Sequence, residues 1–388
     1  MPFVVAVAAA GCSSSGNEQT FGPERSRTDG DGGNAASGSF GGSGAPGDAS
    51  TACVPDKNSF EVPGDGCDND GDGTVDNASP CDGAATGPSP EDFARAIGVC
   101  DQADKRGFGL VSAKFTRGFK RTDAPMPEQH GTLTKFGDVL KPREGNRLGV
   151  LSTGYASEYN GKPGAPFGGA GNTGVRWFPL IRFGEGTGTA PPGFPKAAAG
   201  CKQASAVNDV ATLHLELKAP KNAAGIKFDF NFHSGEWPAF ICSSFNDGFV
   251  AYLQAKGFNG GVADNISFDS KNNPVSVNNS FFDRCTDGAK IGCYGDAPST
   301  SRCPAGPAEL AGTGFGVSGT YCDSGKTVAG GATGWLTSQA PVNPGETFTL
   351  DLMIWDTGDN SLDSLVLLDN FQWVAGNVVT QTERPAPR

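Results

Sequence analysis

Between Ile226 and His233 the chain alternates without a break: Ile226, Phe228, Phe230 and Phe232 are apolar, while Lys227, Asp229, Asn231 and His233 are polar. A period of two puts successive side chains on opposite faces of a strand and cannot sit on one face of a helix. The pattern predicts a half-buried strand whose polar face, His233 included, meets water. The same alternation runs through Leu213, Leu215 and Leu217, through Phe249, Ala251 and Leu253, and through Phe348, Leu350, Leu352 and Ile354. Ser364 to Phe371 is almost continuously apolar, as in a strand covered on both faces. Asn343-Pro344-Gly345 and Gly358-Asp359-Asn360 read as turns between such strands. One short helix is expected after Ser89, a capping residue followed by Pro90 and early acids. Many short strands and few helices predict an all-β fold, an antiparallel β-sandwich of the jelly-roll or lectin-like kind.

Cysteine usage then sets the compartment. Of the eleven cysteines, none falls in a paired C-x-x-C arrangement of the kind that holds metal in a reducing cytosol. Cys12 stands apart, at the end of a short apolar run with Ala9-Ala10-Gly11 before it and serines after it. That stretch resembles a bacterial lipobox, in which small residues admit the peptidase and the thiol takes the lipid. The resemblance implies lipidation at Cys12 and an outer-membrane or cell-surface location, with plain secretion as the alternative. No Lys or Arg precedes the apolar run, so translation is expected to start upstream of Met1. The other ten cysteines allow five disulfides, whose pairing spacing alone does not decide.

The domain organisation follows composition. Residues 1–12 read as the signal segment. Residues 13–52, rich in Gly, Ser, Asn and Asp, read as a disordered tether too poor in apolar surface to offset chain entropy. Residues 53–100 form a cysteine-bounded acidic segment, with nine acidic and no basic residues between Lys57 and Arg95. So small a segment needs cross-links or metal to hold it. The sandwich is assigned to residues 101–376, with a stapled loop from Cys285 to Cys322 and a disordered tail at 377–388. A net charge of −12 without basic clusters argues against nucleic acid.

Three blocks of the sandwich carry a family resemblance. They are Ser234-Gly-Glu-Trp-Pro-Ala-Phe-Ile-Cys-Ser-Ser-Phe-Asn-Asp-Gly-Phe249, Asn273-Pro-Val-Ser-Val-Asn-Asn279, and the closing stretch from Gly334-Trp335 through Ile354-Trp-Asp-Thr-Gly-Asp359 to Leu362-Asp-Ser-Leu-Val-Leu-Leu-Asp-Asn-Phe371. In this order the blocks are similar to bacterial choice-of-anchor L domains, over roughly residues 108–376. The resemblance implies an extracellular β-rich domain fastened to the cell by different anchors in different proteins, with no settled activity.

The strongest chemical motif is Asp68-Asn-Asp-Gly-Asp-Gly-Thr-Val-Asp76. Calcium takes six to eight hard oxygens from a flexible loop, and Asp68, Asp70, Asp72, the Thr74 carbonyl and Asp76 reproduce positions 1, 3, 5, 7 and 9 of an EF-hand-type loop, with Gly73 at the turn. Ser79 stands where the bidentate Glu belongs, so affinity is expected at about 10⁻⁴–10⁻³ M, with Asp65 or Asp82 as further donors. A second metal or ligand site is sketched by Glu236, Asn246 and Asp247 together with Asp356, Asp359, Asp369 and Asn370, although such residues also cap turns. Among the tryptophans, Trp237 is the candidate for stacking on a ligand, the others reading as core. Three histidines and no G-x-S-x-G or H-E-x-x-H leave no catalytic residue to name. The functional expectation is a calcium-stabilised, lipid-anchored module that binds an extracellular polysaccharide or protein partner. A secreted carbohydrate-active hydrolase and a structural envelope component are the alternatives.

Overall fold

The computed structural model describes residues 53–77, 81–159, 188–295, 298–316, 318–319, 322, 327–328, 330–360 and 362–385. Cys12, the 13–52 tether and Ser79 lie outside them. The strands in chain order are β1 (Gly109–Thr116), β2 (His130–Leu133), β3 (Leu148–Ser152), β4 (Val207–Lys218), β5 (Gly225–Ser234), β6 (Gly248–Gln254), β7 (Asp264–Asn265), β8 (Val275–Ser276) and β9 (Lys290–Ile291). They continue as β10 (Ser299–Thr300), β11 (Ser318–Gly319), β12 (Thr327–Val328), β13 (Gly331–Ala332), β14 (Leu336–Pro341), β15 (Thr347–Thr357), β16 (Ser364–Val374) and β17 (Gln381–Glu383).

Two antiparallel sheets form the sandwich. The first has the order β1-β4-β15-β6-β7, with β8 also on β6; the second runs β17-β14-β5-β16-β3-β2, with β13 also on β5. The alternation explains the packing. Leu213, Leu215 and Leu217 of β4, Phe249, Ala251 and Leu253 of β6, and Leu350, Leu352 and Ile354 of β15 turn inward. They meet Phe228, Phe230 and Phe232 of β5 and Val366 and Leu368 of β16 in one core. Phe230 and Phe249, from opposite sheets, lie with ring centroids 5.1 Å apart. As expected, β16 is buried on both faces: Leu365 and Leu367 look outward into a second cluster with Leu148, Val150, Phe136 and Phe315.

That outer cluster corrects the reading of β5. Asp229, Asn231 and His233 are all buried, because residues far away in sequence cover their face. The His233 ring packs against Phe136 and Phe315, each at 5.3 Å. Burial drives its pKa down to about 3, so this histidine is neutral rather than solvated and charged.

The acidic segment is likewise part of the sandwich, and residues 52–388 form one compact unit. Helix α1 (Pro90–Ala96) starts where expected, with the Ser89 Oγ accepting the Asp92 N–H at 3.0 Å. Phe60, Phe93, Ile97 and Val99 join the central core. The Phe371 N–H donates to the Ile97 carbonyl at 2.7 Å. Gly98 follows at φ +96, where a Cβ would stand 2.9 Å from the Phe371 carbonyl oxygen. The tail expected to be disordered contributes β17, which pairs with β14 from Thr337↔Glu383 to Gln339↔Gln381.

Five disulfides join Cys53–Cys67, Cys81–Cys100, Cys201–Cys242, Cys285–Cys303 and Cys293–Cys322. The last two interleave and so fasten the long excursion between β8 and β13. Closing loops of this size removes entropy worth about 3 kcal/mol per bridge from the unfolded chain, on the chain-entropy model.

Trp237, the expected ligand-stacking residue, is only 2 % exposed and belongs to the central core. Its indole, in the turn after β5, is closed off from solvent and offers no face to a ligand. Trp237→Ala should therefore cost about 3–5 kcal/mol in urea unfolding, with Trp237→Phe recovering much of the loss. On the outer face of the first sheet, His214 Nδ1 lies 2.6 Å from Asp351 Oδ1. This bond raises the histidine's pKa, against its partial burial. A raised folded-state pKa gives stability that is complete below the unfolded value of about 6.5 and fades as pH climbs through the folded one. His214→Gln should lose roughly 1 kcal/mol at pH 5 and almost nothing at pH 9, read by urea titration at both.

Candidate functional site

The Asp-rich loop holds its shape through its own carboxylates. Asp68 Oδ1 accepts the N–H groups of Gly71 and Asp72 at 2.8 and 3.1 Å, and Oδ2 accepts that of Gly73 at 3.0 Å. Gly73 takes φ +92, the sharp turn its position predicts. Glu61 reaches in from outside the motif, accepting the Asp70 and Asp76 N–H groups at 2.9 and 3.1 Å. Oxygens of Glu61, Asp68 and Asp70 lie within 4.8 Å of one another. Those three can share one hard cation. Asp70 also meets Arg106 at 2.5 Å.

Asp72 and Asp76 stand outside that trio. Asp72 binds the Thr74 N–H and the Asn77 amide, each at 2.8 Å, and Asp76 binds the Gly64 N–H at 2.8 Å. Asp65 accepts the Cys67 N–H at 2.8 Å, and Asp82 turns away to the backbone of Asn146 and Arg147. Glu61 escaped the sequence reading because it precedes the motif. Its signal was an acid bracketed by the Cys53–Cys67 bridge.

A second group of carboxylates gathers where the inward rows of the core run out. Two residues beyond the last apolar member, each row ends in an acid or a hydroxyl. Ala211 gives way to Asp209, Phe249 to Asp247, Ile354 to Asp356, and Val366 to Ser364 with Asp363 beside it. Phe232 is followed by Ser234 and then Glu236. Register brings these ends together: Asp356 pairs with Asn208, Trp355 with Gly248, and Ser364 with Ser234. Asp209 sits at φ +47 beside the bulge between Ile354 and Asp356. The two sheets meet through Asp247, which accepts the Thr357 N–H at 3.0 Å and the Ser364 hydroxyl at 2.8 Å.

All five acids are at most 4 % exposed. No well-formed hydrogen bond reaches either oxygen of Asp356, nor Glu236 Oε2 or Asp209 Oδ1, although the Thr153 hydroxyl lies close enough to Asp356 to pull its pKa down. Burial raises every one of the shifted pKa values here. It lifts Glu236, with Asp247 and Asp359 adding repulsion, and it lifts Asp356, with Asp247, Asp209 and Asp363 adding theirs. Asp247 and Asp209 are each pushed up to about 7, also by burial. Arg117 faces Asp209 and pulls the other way.

Glu236 and Asp247 are thus brought together with Asp356 and Asp359. Asn246 lines the same end, its carbonyl accepting the Thr357 hydroxyl at 3.0 Å and its amide donating to Gln203 at 2.9 Å. Asp369 and Asn370 go elsewhere. Further along β16 and on its outer face, Asp369 accepts the Arg143 N–H at 2.5 Å while the Asn370 amide donates to Asp229 at 2.9 Å. They fasten the loop that covers the second sheet. Asp209 and Asp363 were missed, although the apolar row running into an acid was a signal for Asp209.

The open surface offers a cleft of about 220 Å³, lined by Phe194, Lys196, Asp264, Asn265, Asn272 and Pro274 among others. Among the described residues no helix is long and apolar enough to cross a membrane.

No curated protein and no solved structure matches the chain. The family model of the Choice-of-anchor L domain matches residues 150–372, from β3 to β16 and so across both sheets and the whole carboxylate end. With more than half of its length matched, the chain belongs to the choice-of-anchor L domain family and is an exported or cell-surface protein.

Proposed function

We propose that the protein is a binding module of the cell surface, which adheres to an extracellular polysaccharide or partner protein without chemical turnover. On this reading Cys12 carries the lipid that holds it to the outer membrane, the 13–52 tether gives reach, and calcium stiffens the fold. A tethered module acts at high local concentration, so weak contacts add up to avidity.

The observation that carries the non-catalytic reading is the closure of the carboxylates. Glu236 and Asp247, the acids a glycosidase would enlist, are 2 % and 1 % exposed. A general acid must come within hydrogen-bond reach of the oxygen it protonates, and a sugar ring cannot approach side chains covered on every side. The cleft beside Phe194 suits a hydroxyl-rich ligand better, since it combines amides, a carboxylate and an ammonium with flat apolar walls.

The test is a glycan and surface-polymer array probed with the full-length protein in millimolar calcium. Binding without product release is expected, and Asp264→Ala should weaken it about fivefold, the worth of one hydrogen bond near 1 kcal/mol. Release of sugar or peptide fragments, abolished by Glu236→Gln, would overturn the reading in favour of a hydrolase. For the Asp-rich loop, equilibrium dialysis with radioactive calcium should show a weak site of about 10⁻⁴–10⁻³ M. That site should vanish in Asp68→Asn/Asp70→Asn. Unchanged weak-site stoichiometry in the double variant would remove calcium from the loop.

A further inference from the structure

Asp356 is the side chain at the carboxylate end that the protein leaves least satisfied. It is 1 % exposed, neither of its oxygens receives a well-formed hydrogen bond although the Thr153 hydroxyl lies beside it, and it is repelled by Asp209 of β4, by Asp247 just before β6 and by Asp363 just before β16. A buried carboxylate without a partner costs several kcal/mol, and a set of like charges costs more. Proteins retain such groups when an ion neutralises them. We propose that this end of the sandwich holds a structural calcium ion, centred on Asp356 and ligated also by Asp247, Asp209 and Asp363.

The chemistry of the donors selects the ion. Carboxylates and the hydroxyls of Ser364 and Thr153 surround the position, and no sulfur or imidazole ligand belongs to the set. Hard oxygens alone point to calcium, magnesium or manganese. Calcium accepts an irregular shell of six to eight oxygens and gives up its water readily, whereas magnesium keeps several waters that a closed site does not accommodate. Arg117 faces Asp209 and reaches Asp123 at 3.8 Å, so it neutralises only that edge. Four carboxylates, one calcium ion and Arg117 together come within about one unit of neutrality. Burial raises the pKa of Glu236, with Asp247 and Asp359 adding repulsion.

Ligation joins both sheets at one point. Asp209 and Asp356 lie on the neighbouring strands β4 and β15 of the first sheet, Asp247 just before β6 on the other side of β15, and Asp363 just before β16 of the second sheet. Gly154 leaves room for this arrangement, since a Cβ there would stand 2.1 Å from Asp363 Oδ2. The carboxylates close less tightly than those of Glu61, Asp68 and Asp70, the trio within 4.8 Å among the described residues.

The experiment uses the full-length Asp68→Asn/Asp70→Asn protein, so that the loop site and the binding function have no part in the result. Elemental analysis after dialysis against calcium-containing buffer should find one tightly held calcium per chain. Removing it with chelator should lower the melting temperature, and calcium, not magnesium, should restore it. Adding Asp356→Asn should abolish the tight site and the calcium-dependent shift. In chelator the same substitution should raise the melting temperature above that of its parent, because it removes an unneutralised buried charge. If Asp356→Asn fails to fold, Asp247→Asn serves in the same comparison. Less than about a tenth of an equivalent of calcium in the parent, with the same melt in calcium and chelator, would overturn the proposal. So would full retention of the tight site in the Asp356→Asn or Asp247→Asn protein.

Discussion

Asp247 ties the sandwich together at its polar end. One carboxylate oxygen accepts a backbone N–H from β15, and the other accepts a hydroxyl from β16, so a single side chain spans both sheets. Apolar packing between the sheets is non-directional and would tolerate sliding. A bond of fixed length between Asp247 and Ser364 does not. The register of β16 against β5, with Ser364 opposite Ser234, then aligns the end of one sheet with that of the other. The carboxylate also explains why its neighbours are polar. Once one acid sits at the end of a core row, adjacent rows can end in groups that bond it, as Thr357 and Ser364 do.

Away from that end the molecule depends on covers. Strands β5, β15 and β16 are buried on both faces, which a two-layer sandwich does not provide by itself. The loop around Phe136 and the stapled excursion carrying Phe315 cover the second sheet, and Phe119, Ala190 and Phe194 pack beside Met353 and Trp355 on the outer face of β15, while the segment from Cys53 to Cys100 adds its apolar residues to the central core. The excursion and the acidic segment have little regular structure of their own and are cross-linked. Every one of the five disulfides lies in a cover or a connecting loop, and the central strands carry no cysteine. The sheets are held by burial and ladder bonds, and the loops by covalent bonds.

How much of this the sequence reveals depends on range. Strand identity is local: an alternation such as Phe228-Asp-Phe-Asn-Phe232 is visible without any partner, and the double burial of β16 follows from its own text. The Ser89 cap is equally local and begins α1 as expected. Exposure of a polar face is not local. Asp229 and His233 look solvated until Arg143, Phe136 and Phe315 arrive from distant loops. Trp237 misleads for the same reason, being flanked by Glu236 and Pro238 yet buried in the central core. The second candidate site was half legible. Motif proximity found Glu236, Asp247 and Asp356, but it also enlisted Asp369 and Asn370, which strand geometry sends to the outer face. Asp209 is signalled by its own apolar row, but its place beside Asp356 appears only when β4 and β15 are paired.

The carboxylate end also bears on where such a fold can exist. A domain of this size has a net stability of about 5–15 kcal/mol, and an unneutralised buried carboxylate costs several of those. Four acids around one point would therefore consume most of the margin in a compartment poor in calcium. Protonation offers partial relief, since Asp247 and Asp209 titrate near pH 7. In an exported protein two conditions change together. Cysteines oxidise, which fixes the covers, and calcium is plentiful, which would neutralise the core's polar end at the proposed site. Both forms of stabilisation arrive after the chain has left the cytosol. A fold completed by an oxidant and a cation suits an exported protein, and it separates the ordering of the loops from the locking of the sheets. The first needs an oxidant and the second a cation, so the Asp356 cluster and the five bridges are two distinct responses to the same environment.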